Sequence, residues 1–453
     1  MTILLLIWLG LLIVLLVWVI GKPGAGGALT LAYFLGLSII HVPGALVFLD
    51  PNAPFPGADQ TEIGFRMTLL GMAAFIAGAF VAKHTNRRRV KSASDRATAA
   101  PQSLVPLGWG AFALGILCYF VFLPLSVRIP SATSLVAAIA TLLIVGLWLQ
   151  LYAARVLQRP ILAIAVLAIL PFLPLVTLAA GGFIGFGVYW ALSVMTFFYV
   201  VAKRRIWFLV SMPLVTFLGL SLFVAYMGER SGIREVVWQE HADLGARLER
   251  ISAMAARFEF LDLGNTSHLW ALNERLNQNY LVGMGINRQR MGAVDFEYGG
   301  TVNPLALIPR ALSPDKAVVG GGGNLVTDFT GIAFAPGTSV GAGQVLEFYM
   351  NFGTAGVIGG FLILGFVLMR LDHGVMRALA AGDLGSLITR AMIGLPMLQP
   401  GGNLLEIVVA VAAGYIGAQL ILASTLLQNR PNAAAGIGAA MRSSGRRQPP
   451  RRT

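Results

Sequence analysis

Long apolar runs constrain this chain more than any other feature. Several reach 18 residues or more, the length a helix needs to cross about 30 Å of hydrocarbon. Of the 453 residues, 57% are hydrophobic and 12% are charged, roughly half the charged share of a soluble domain. Lipid supplies no hydrogen bonds, so spanning backbone must satisfy itself, as a helix does. The sequence therefore predicts an all-α polytopic membrane protein with about 11 transmembrane helices. They fall at 2–20, 28–48, 63–82, 105–125, 132–153, 160–179, 182–202, 206–226, 342–369, 384–399 and 404–427. Residues 1–20 read as the first span, because they lack a basic leader and a clear cleavage site and are too long for a signal-peptide core. The run 384–399 is short for a crossing and reads equally as re-entrant. Only Ala180-Gly181 joins the sixth and seventh runs, so that hairpin is tight.

One polar interruption divides the apolar pattern. It gives four regions: an N-terminal bundle at 1–226, a large loop at 227–341, C-terminal helices at 342–427 and a basic tail at 428–453 that reads as disordered. Polar backbone on this scale must lie outside the bilayer or over a protein cavity. Leu244, Leu248, Ile251, Ala255 and Phe258 recur at helical spacing, as do Leu269, Leu272, Leu276 and Tyr280, which predicts two amphipathic helices over the membrane mouth. From Gly283 to Gly343 the chain is rich in Gly and Pro and reads as an extended loop.

Charge placement orients the chain. The net charge is +13, but the excess sits in short clusters flanking apolar runs: Lys83 to Arg96, Arg155 with Arg159, Lys203 to Arg205, and the tail from Arg430 to Arg452. That is the pattern of cytoplasmic loops against anionic lipid, not of nucleic-acid binding. Arg370 and Arg377 then fall inside; the N-terminus and the loop with Asp50, Asp59 and Glu62 fall outside. The long polar segment also falls outside. It holds 12 of the 20 acidic and 10 of the 33 basic residues, a near-neutral mixture that suits a folded module. A single Cys excludes a disulfide framework, and five His with no i, i+4 pair make a zinc site improbable. No metal and no cofactor are expected.

Few residues are placed to carry chemistry. Arg310 and Lys316 lie in a stretch braced by Pro309 and Pro314. Two cations at a membrane face suit a diphosphate; the plainer role for Arg310 is a pair with Asp315 or Asp328. Glu347 lies about one turn into an apolar run beside Tyr349 and Asn351. A carboxylate at that depth faces a cavity or a partner, as a general base or as a structural group at a helix start. Arg257, Arg288 and Arg290 are further cations, and His268 is a candidate base or an exposed histidine. Arg390 and Glu406 flank Pro400-Gly401-Gly402-Asn403 and are expected to pair across that hairpin. Gly320 to Gly323 lacks the Gly-Lys-Ser/Thr of a phosphate loop and reads as a lid. Asn265-Thr266-Ser267 matches a glycosylation sequon.

The stretch Ile308 to Lys316, the sequence Glu347-Phe348-Tyr349-Met350-Asn351-Phe352-Gly353 and the Gly-rich run after it resemble the O-antigen and exopolysaccharide repeat-unit polymerases of bacteria. The motifs cover about a tenth of the chain and the topology nearly all of it. The resemblance implies a membrane glycosyltransferase of GT-C-like architecture in the bacterial inner membrane, using neither nucleotide sugar nor metal. Donor and acceptor would be oligosaccharides on undecaprenyl diphosphate, joined at the outer face of that membrane, with membrane lipid and a chain-length regulator protein as further partners. Catalytic roles would fall to Arg310 and Glu347. Substrate binding would fall to Lys316, Arg257, Arg288, Arg290, Tyr349 and Asn351. Other readings are a ligase of the same class, a transporter or flippase of lipid-linked oligosaccharide, and a structural subunit of an export complex.

Overall fold

The computed structural model describes residues 1–20, 26–50, 54–85, 101–126, 129, 132–181, 183–202, 206–238, 245, 249, 252–254, 256–302, 308, 323–334 and 340–444. Every regular element among them is helical. In chain order they are α1 (Thr2–Ile20), α2 (Ala28–Val47), α3 (Ala58–Thr85), α4 (Leu104–Ser126), α5 (Ala132–Val156), α6 (Pro160–Ile169), α7 (Phe172–Gly181), α8 (Ile184–Val201) and α9 (Ile206–Trp238). There follow α10 (Thr266–Arg275), α11 (Gln278–Arg290), α12 (Gly323–Thr330), α13 (Gly343–Ala381), α14 (Leu384–Gly394) and α15 (Leu404–Ser444). Nine helices among the described residues are long and apolar enough to cross a membrane, and ten if α6 and α7 form one bent span. Exposed Ile3, Leu6, Ile7, Ile13 and Val17 on α1 are acceptable only where hydrocarbon is the solvent. This is a multi-pass membrane protein.

The span count departs from the expected 11 for two physical reasons. Pro171 falls in the sixth run and cannot continue a helix, so α6 and α7 meet at 41°. The tenth run gives only α14 and a 3-10 turn at Pro396–Leu398; 11 helical residues rise about 16 Å, half a bilayer core. The polar interruption also differs from expectation. α9 runs past residue 226 to Trp238, so the loop starts as a continuation of a span. The 269–280 pattern is two helices broken at Leu276-Asn277, and α11 extends to Arg290 where an extended loop was expected, with α12 beyond it. Of the 244–258 pattern, Leu244, Leu248, Ile251 and Ala255 lie outside the described residues. α15 reaches Ser444, past Pro431 where the tail was expected to lose order.

α2 and α3 organise the interior. α2 is buried along almost its whole length, Leu29, Leu31, Tyr33 and Phe34 showing no solvent contact. α3 carries Gly64, Gly71 and Gly78 seven residues apart, a spacing that keeps them near one helix face. A Cβ on Gly64 would lie 1.9 Å from the Asn279 carbonyl oxygen, on Gly71 2.8 Å from the Phe361 ring, and on Gly78 1.9 Å from the Leu362 carbonyl oxygen. From the other side, Gly283 meets Gln60 and Gly365 meets Phe75 in the same way. Small residues let backbones approach in membranes, where dispersion and polar contacts drive association. The paired numbers rise together along α3 and α13, so these helices run parallel, while α11 runs antiparallel to the start of α3.

The ends of the bundle differ in charge. Lys83 donates to the Trp18 carbonyl and stands 4.1 Å over the Trp18 ring; Arg155 donates to the Val201 carbonyl. Arg370 and Arg377 lie close to Lys83 around His373. These cations share the end of the bundle at which α2 begins. The α10–α11 pair enters from the opposite end: Leu276 O accepts from Gly44 N at 3.0 Å, Asn277 Nδ2 donates to Thr61 Oγ1 at 3.0 Å, and Asn279 Nδ2 donates to His41 O at 2.7 Å. Among the described residues, Lys83, Arg155, Arg370 and Arg377 thus lie at the end of the bundle opposite to the α10–α11 pair.

Substituting Gly78→Val should disrupt the α3–α13 approach, since the added carbons meet backbone and not a yielding side chain. Overpacking of this kind costs about 1–3 kcal/mol. A lower unfolding temperature in detergent should accompany it, while Gly110→Val, at a site with open space around it, should change little.

Candidate functional site

The polar residues of greatest interest gather where α13 starts. Gly343 to Asn351 forms a short helix that stops at Phe352 (φ −144°, ψ 23°) and Gly353 (φ 61°, ψ −150°). The second pair of angles is open only to glycine. Beyond it the chain turns back. A Cβ on Gly356 would lie 2.2 Å from the Phe348 carbonyl oxygen and one on Gly360 2.7 Å from the Phe348 ring, whereas residues eight apart in a straight helix are separated by about 12 Å. The expected motif therefore does not open the span itself. It forms a short arm folded against the helix that follows.

The break leaves carbonyls without helical partners, and the polar segment supplies them. Glu297 N donates to Met350 O at 2.9 Å and Tyr298 N to Asn351 O at 3.2 Å. Asn351, 4% exposed, accepts from Gly299 N at 2.7 Å and donates to Thr301 Oγ1 and to Glu347 O, both at 2.8 Å. Tyr349 is buried, its ring edge-on to Phe296 and its hydroxyl 3.5 Å from Gln289 Oε1.

Glu347 has no solvent exposure. Its Oε2 accepts from Leu404 N at 2.7 Å, the first backbone donor of α15. A helix N-terminus carries unpaired N–H groups and partial positive charge, which favours an anion. Oε1 is buried without a well-formed hydrogen bond among the described residues, with the Thr301 hydroxyl and the Glu406 carboxylate in electrostatic reach. The neighbouring loop is tied down as well: Gln344 N donates to Pro400 O at 3.0 Å, Ala342 N to Asn403 Oδ1 at 2.9 Å, and Tyr33 donates its hydroxyl proton to Gln344 Oε1. Glu347 is thus a carboxylate at a helix start, but of another helix than its own.

The expected Arg390–Glu406 pair does not form. Arg390 donates to Ser386 O at 3.1 Å and packs on Gly374, while Glu406 accepts from Asn403 Nδ2 at 3.4 Å. The loop between α14 and α15 is held by Glu347 instead. Asp383 caps α14 through Ser386 N at 3.0 Å, and the Ser386 backbone and hydroxyl bonds hold its carboxyl below the usual range.

The remaining cations divide into two places. Arg288 lies on α11, one residue from Gln289, with its guanidinium against Gly331, where a Cβ would approach Nη1 to 2.4 Å. Its Nε is buried without an acceptor among the described residues. Arg290 is exposed at the end of the same helix. Arg257 is elsewhere: it pairs with Glu229 of α9 in a cleft also lined by Glu259, His268 and Glu274. His268 is buried, not exposed, and its Nδ1 accepts from Asp262 N at 3.1 Å. Asn265 uses its side chain to cap α10 through Ser267 N. Arg310, Lys316, Asp315 and Gly320 to Gly322 lie outside the described residues. Before them the described chain stops at Val302, apart from Ile308, and after them it resumes at Gly323, the first residue of α12; Arg288 meets the other end of that helix, at Gly331.

Two polar groupings had no clear sequence signal. His41, Thr68 and Asn279 form a buried triad, with His41 Nδ1 2.6 Å and Thr68 Oγ1 3.0 Å from Asn279 Oδ1. Asp372 accepts from Leu29 N at 2.8 Å, Thr30 N at 2.9 Å and Thr30 Oγ1 at 2.7 Å. Asp372 stands between Arg370 and Arg377, so in the sequence it reads as one charge among several at the end of a span.

No protein-family model matches the chain, and comparison with curated proteins and with solved structures likewise finds no match. No three or more His, Cys, Asp or Glu side chains among the described residues cluster as metal ligands would.

Removing the Glu347 carboxylate should loosen α15. Glu347→Ala should lower the unfolding temperature in detergent through loss of a charge-assisted bond of about 1.5–3 kcal/mol. Glu347→Gln, which keeps an acceptor for Leu404 N, should recover much of that loss.

Proposed function

We propose that this protein is a membrane glycosyltransferase that polymerises lipid diphosphate-linked oligosaccharide repeat units at the outer face of the bacterial inner membrane. The reading rests on the resemblance of 308–316 and 347–353 to the repeat-unit polymerases. One structural observation supports it most: Thr301, one residue before the described chain stops at Val302 ahead of Arg310 and Lys316, is bonded to Asn351, which in turn bonds the Glu347 carbonyl. Cations on 308–316 and on α11 would face the diphosphate, whose negative charge grows as the bond to the sugar breaks. Arg288, with its Nε lacking an acceptor among the described residues, is suited to one phosphate oxygen, and Arg290 to the approach of the headgroup. Glu347 would take the proton of the acceptor hydroxyl. Its burial requires the α14–α15 loop or residues 297–301 to move aside before the acceptor enters.

A specific observation favours a second reading. Transporters commonly break helices at buried positions and point helix N-termini at their cargo. The break at Phe352-Gly353 and the buried start of α15 have that form. Flipping of a lipid-linked oligosaccharide is therefore the alternative.

Purified protein in detergent, supplied with lipid diphosphate-linked repeat units, separates the two. Polymer formed without a sealed membrane supports the transferase; Glu347→Gln and Arg310→Ala should each reduce the rate at least about a hundredfold, the scale of a lost acid–base or charge-stabilising group. No polymer in detergent, with lipid-linked sugar crossing vesicle bilayers, supports the transporter.

A further inference from the structure

The cleft that takes Arg257 away from the other cations has a chemistry of its own. It lies between the outer part of α9 and the face of α10, with a volume of about 380 Å³, within the ~300–1,000 Å³ of small-molecule sites. Glu229, Arg257, Glu259, His268, Trp270 and Glu274 line it. Three carboxylates line it with one guanidinium; that guanidinium is already bonded to Glu229, and Glu274 lies 3.3 Å from Arg275 Nε, so two cations stand against three anions. A phosphate or diphosphate would meet net negative charge here, so the cleft is a poor anion site. Trp270 is 51% exposed and packs on Phe55 at a tilt of 40°, with ring centroids 5.6 Å apart. Its ring therefore stands open beside solvent-facing carboxylate acceptors. His268 Nδ1 is occupied by Asp262 N, so its proton lies on Nε2, 3.7 Å from Glu259 Oε2.

We propose that this cleft binds the glycan portion of the substrate as a sugar subsite for uncharged or amine-bearing pyranoses. An aromatic face with a negative quadrupole attracts the polarised C–H face of a pyranose. The carboxylates accept from sugar hydroxyls or an ammonium group, and Arg257 and His268 donate to ring and hydroxyl oxygens. The cleft lies at the polar-segment end of the bundle, and α10 leads through Leu276-Asn277 into α11, which carries Arg288. The inference rests on the transferase or transporter reading only for its ligand's attachment to lipid; the sugar chemistry is the cleft's.

Saturation-transfer NMR on the full-length protein in detergent tests this. The probes are an N-acetylhexosamine disaccharide, an amine-bearing disaccharide and inorganic pyrophosphate. At least one sugar should receive saturation, and pyrophosphate should not displace it. Trp270→Ala should weaken that binding about tenfold, the scale of one lost aromatic contact. Glu259→Gln, at an exposed side chain, should weaken it in the same direction and serves if Trp270→Ala fails to fold. Absence of any sugar signal, unchanged sugar affinity in both variants, or displacement by pyrophosphate would overturn the proposal. Unchanged affinity would make Trp270 an interfacial anchor. The readout needs no turnover, so failure of polymer synthesis with intact sugar binding would count against the transferase and not against the subsite.

Discussion

Two buried carboxylates on one helix hold the architecture together. At one end of α13, Glu347 accepts from the first donor of α15; at the other, Asp372 accepts from the first donors of α2 and from Thr30. Each places an anion where a helix presents unpaired N–H groups and the positive end of its dipole. In hydrocarbon those donors have no water to turn to, so an acceptor from a neighbouring helix is the remaining solution. With 24 residues and the turn at Gly353 between the two side chains, α13 fixes two other helices at separate places. Glycines on α3 then bring α3 against α13 without intervening side chains. Removing a carboxylate would strand donors in an apolar interior, which costs more than the lost bond alone.

The same constraint shapes the candidate site. The break at Gly353 exposes carbonyls that residues 297 and 298 must cap, so the polar segment is tied to the start of the span after it. Asn351 and Thr301 extend the tie to Glu347. The polar segment, the short arm of α13 and the loop between α14 and α15 are therefore one polar unit enclosed by apolar helices. A substrate reaching Glu347 has to displace part of it, which makes binding and loop opening a single event. Arg288 sits at the rim of this unit, and Arg257 belongs to a separate cleft with the opposite charge balance.

The helical class and most spans were legible because apolar runs of this length have one solution in lipid. The placement of Lys83, Arg155, Arg370 and Arg377 opposite to the α10–α11 pair was legible from charge. Glu347 and Asn351 stood out as polar residues in apolar sequence, and both lie in the polar unit. What escaped were features set by tertiary contact. The partner of Glu347 is a backbone N–H 57 residues away, which no side-chain pattern announces, so Glu406 was paired with Arg390 instead. Gly353 reads as one of many glycines in a Gly-rich run, although its backbone turns the chain. The α10–α11 pair reads as surface helices by periodicity, yet Asn277 and Asn279 are drawn inward by Thr61 and His41. The bend within 160–179 is of another kind, since Pro171 marks it in the sequence although the hydropathy of the run is uniform.

A structure determined with a lipid diphosphate-linked repeat unit bound would test the central claim most directly. The account predicts the diphosphate beside Arg288, with Thr301 or the α14–α15 loop displaced so that Glu347 faces an acceptor hydroxyl. It also predicts that the distal sugars lie toward Trp270. A diphosphate bound among the basic residues at the opposite end of the bundle, with Glu347 still sealed against Leu404, would contradict it.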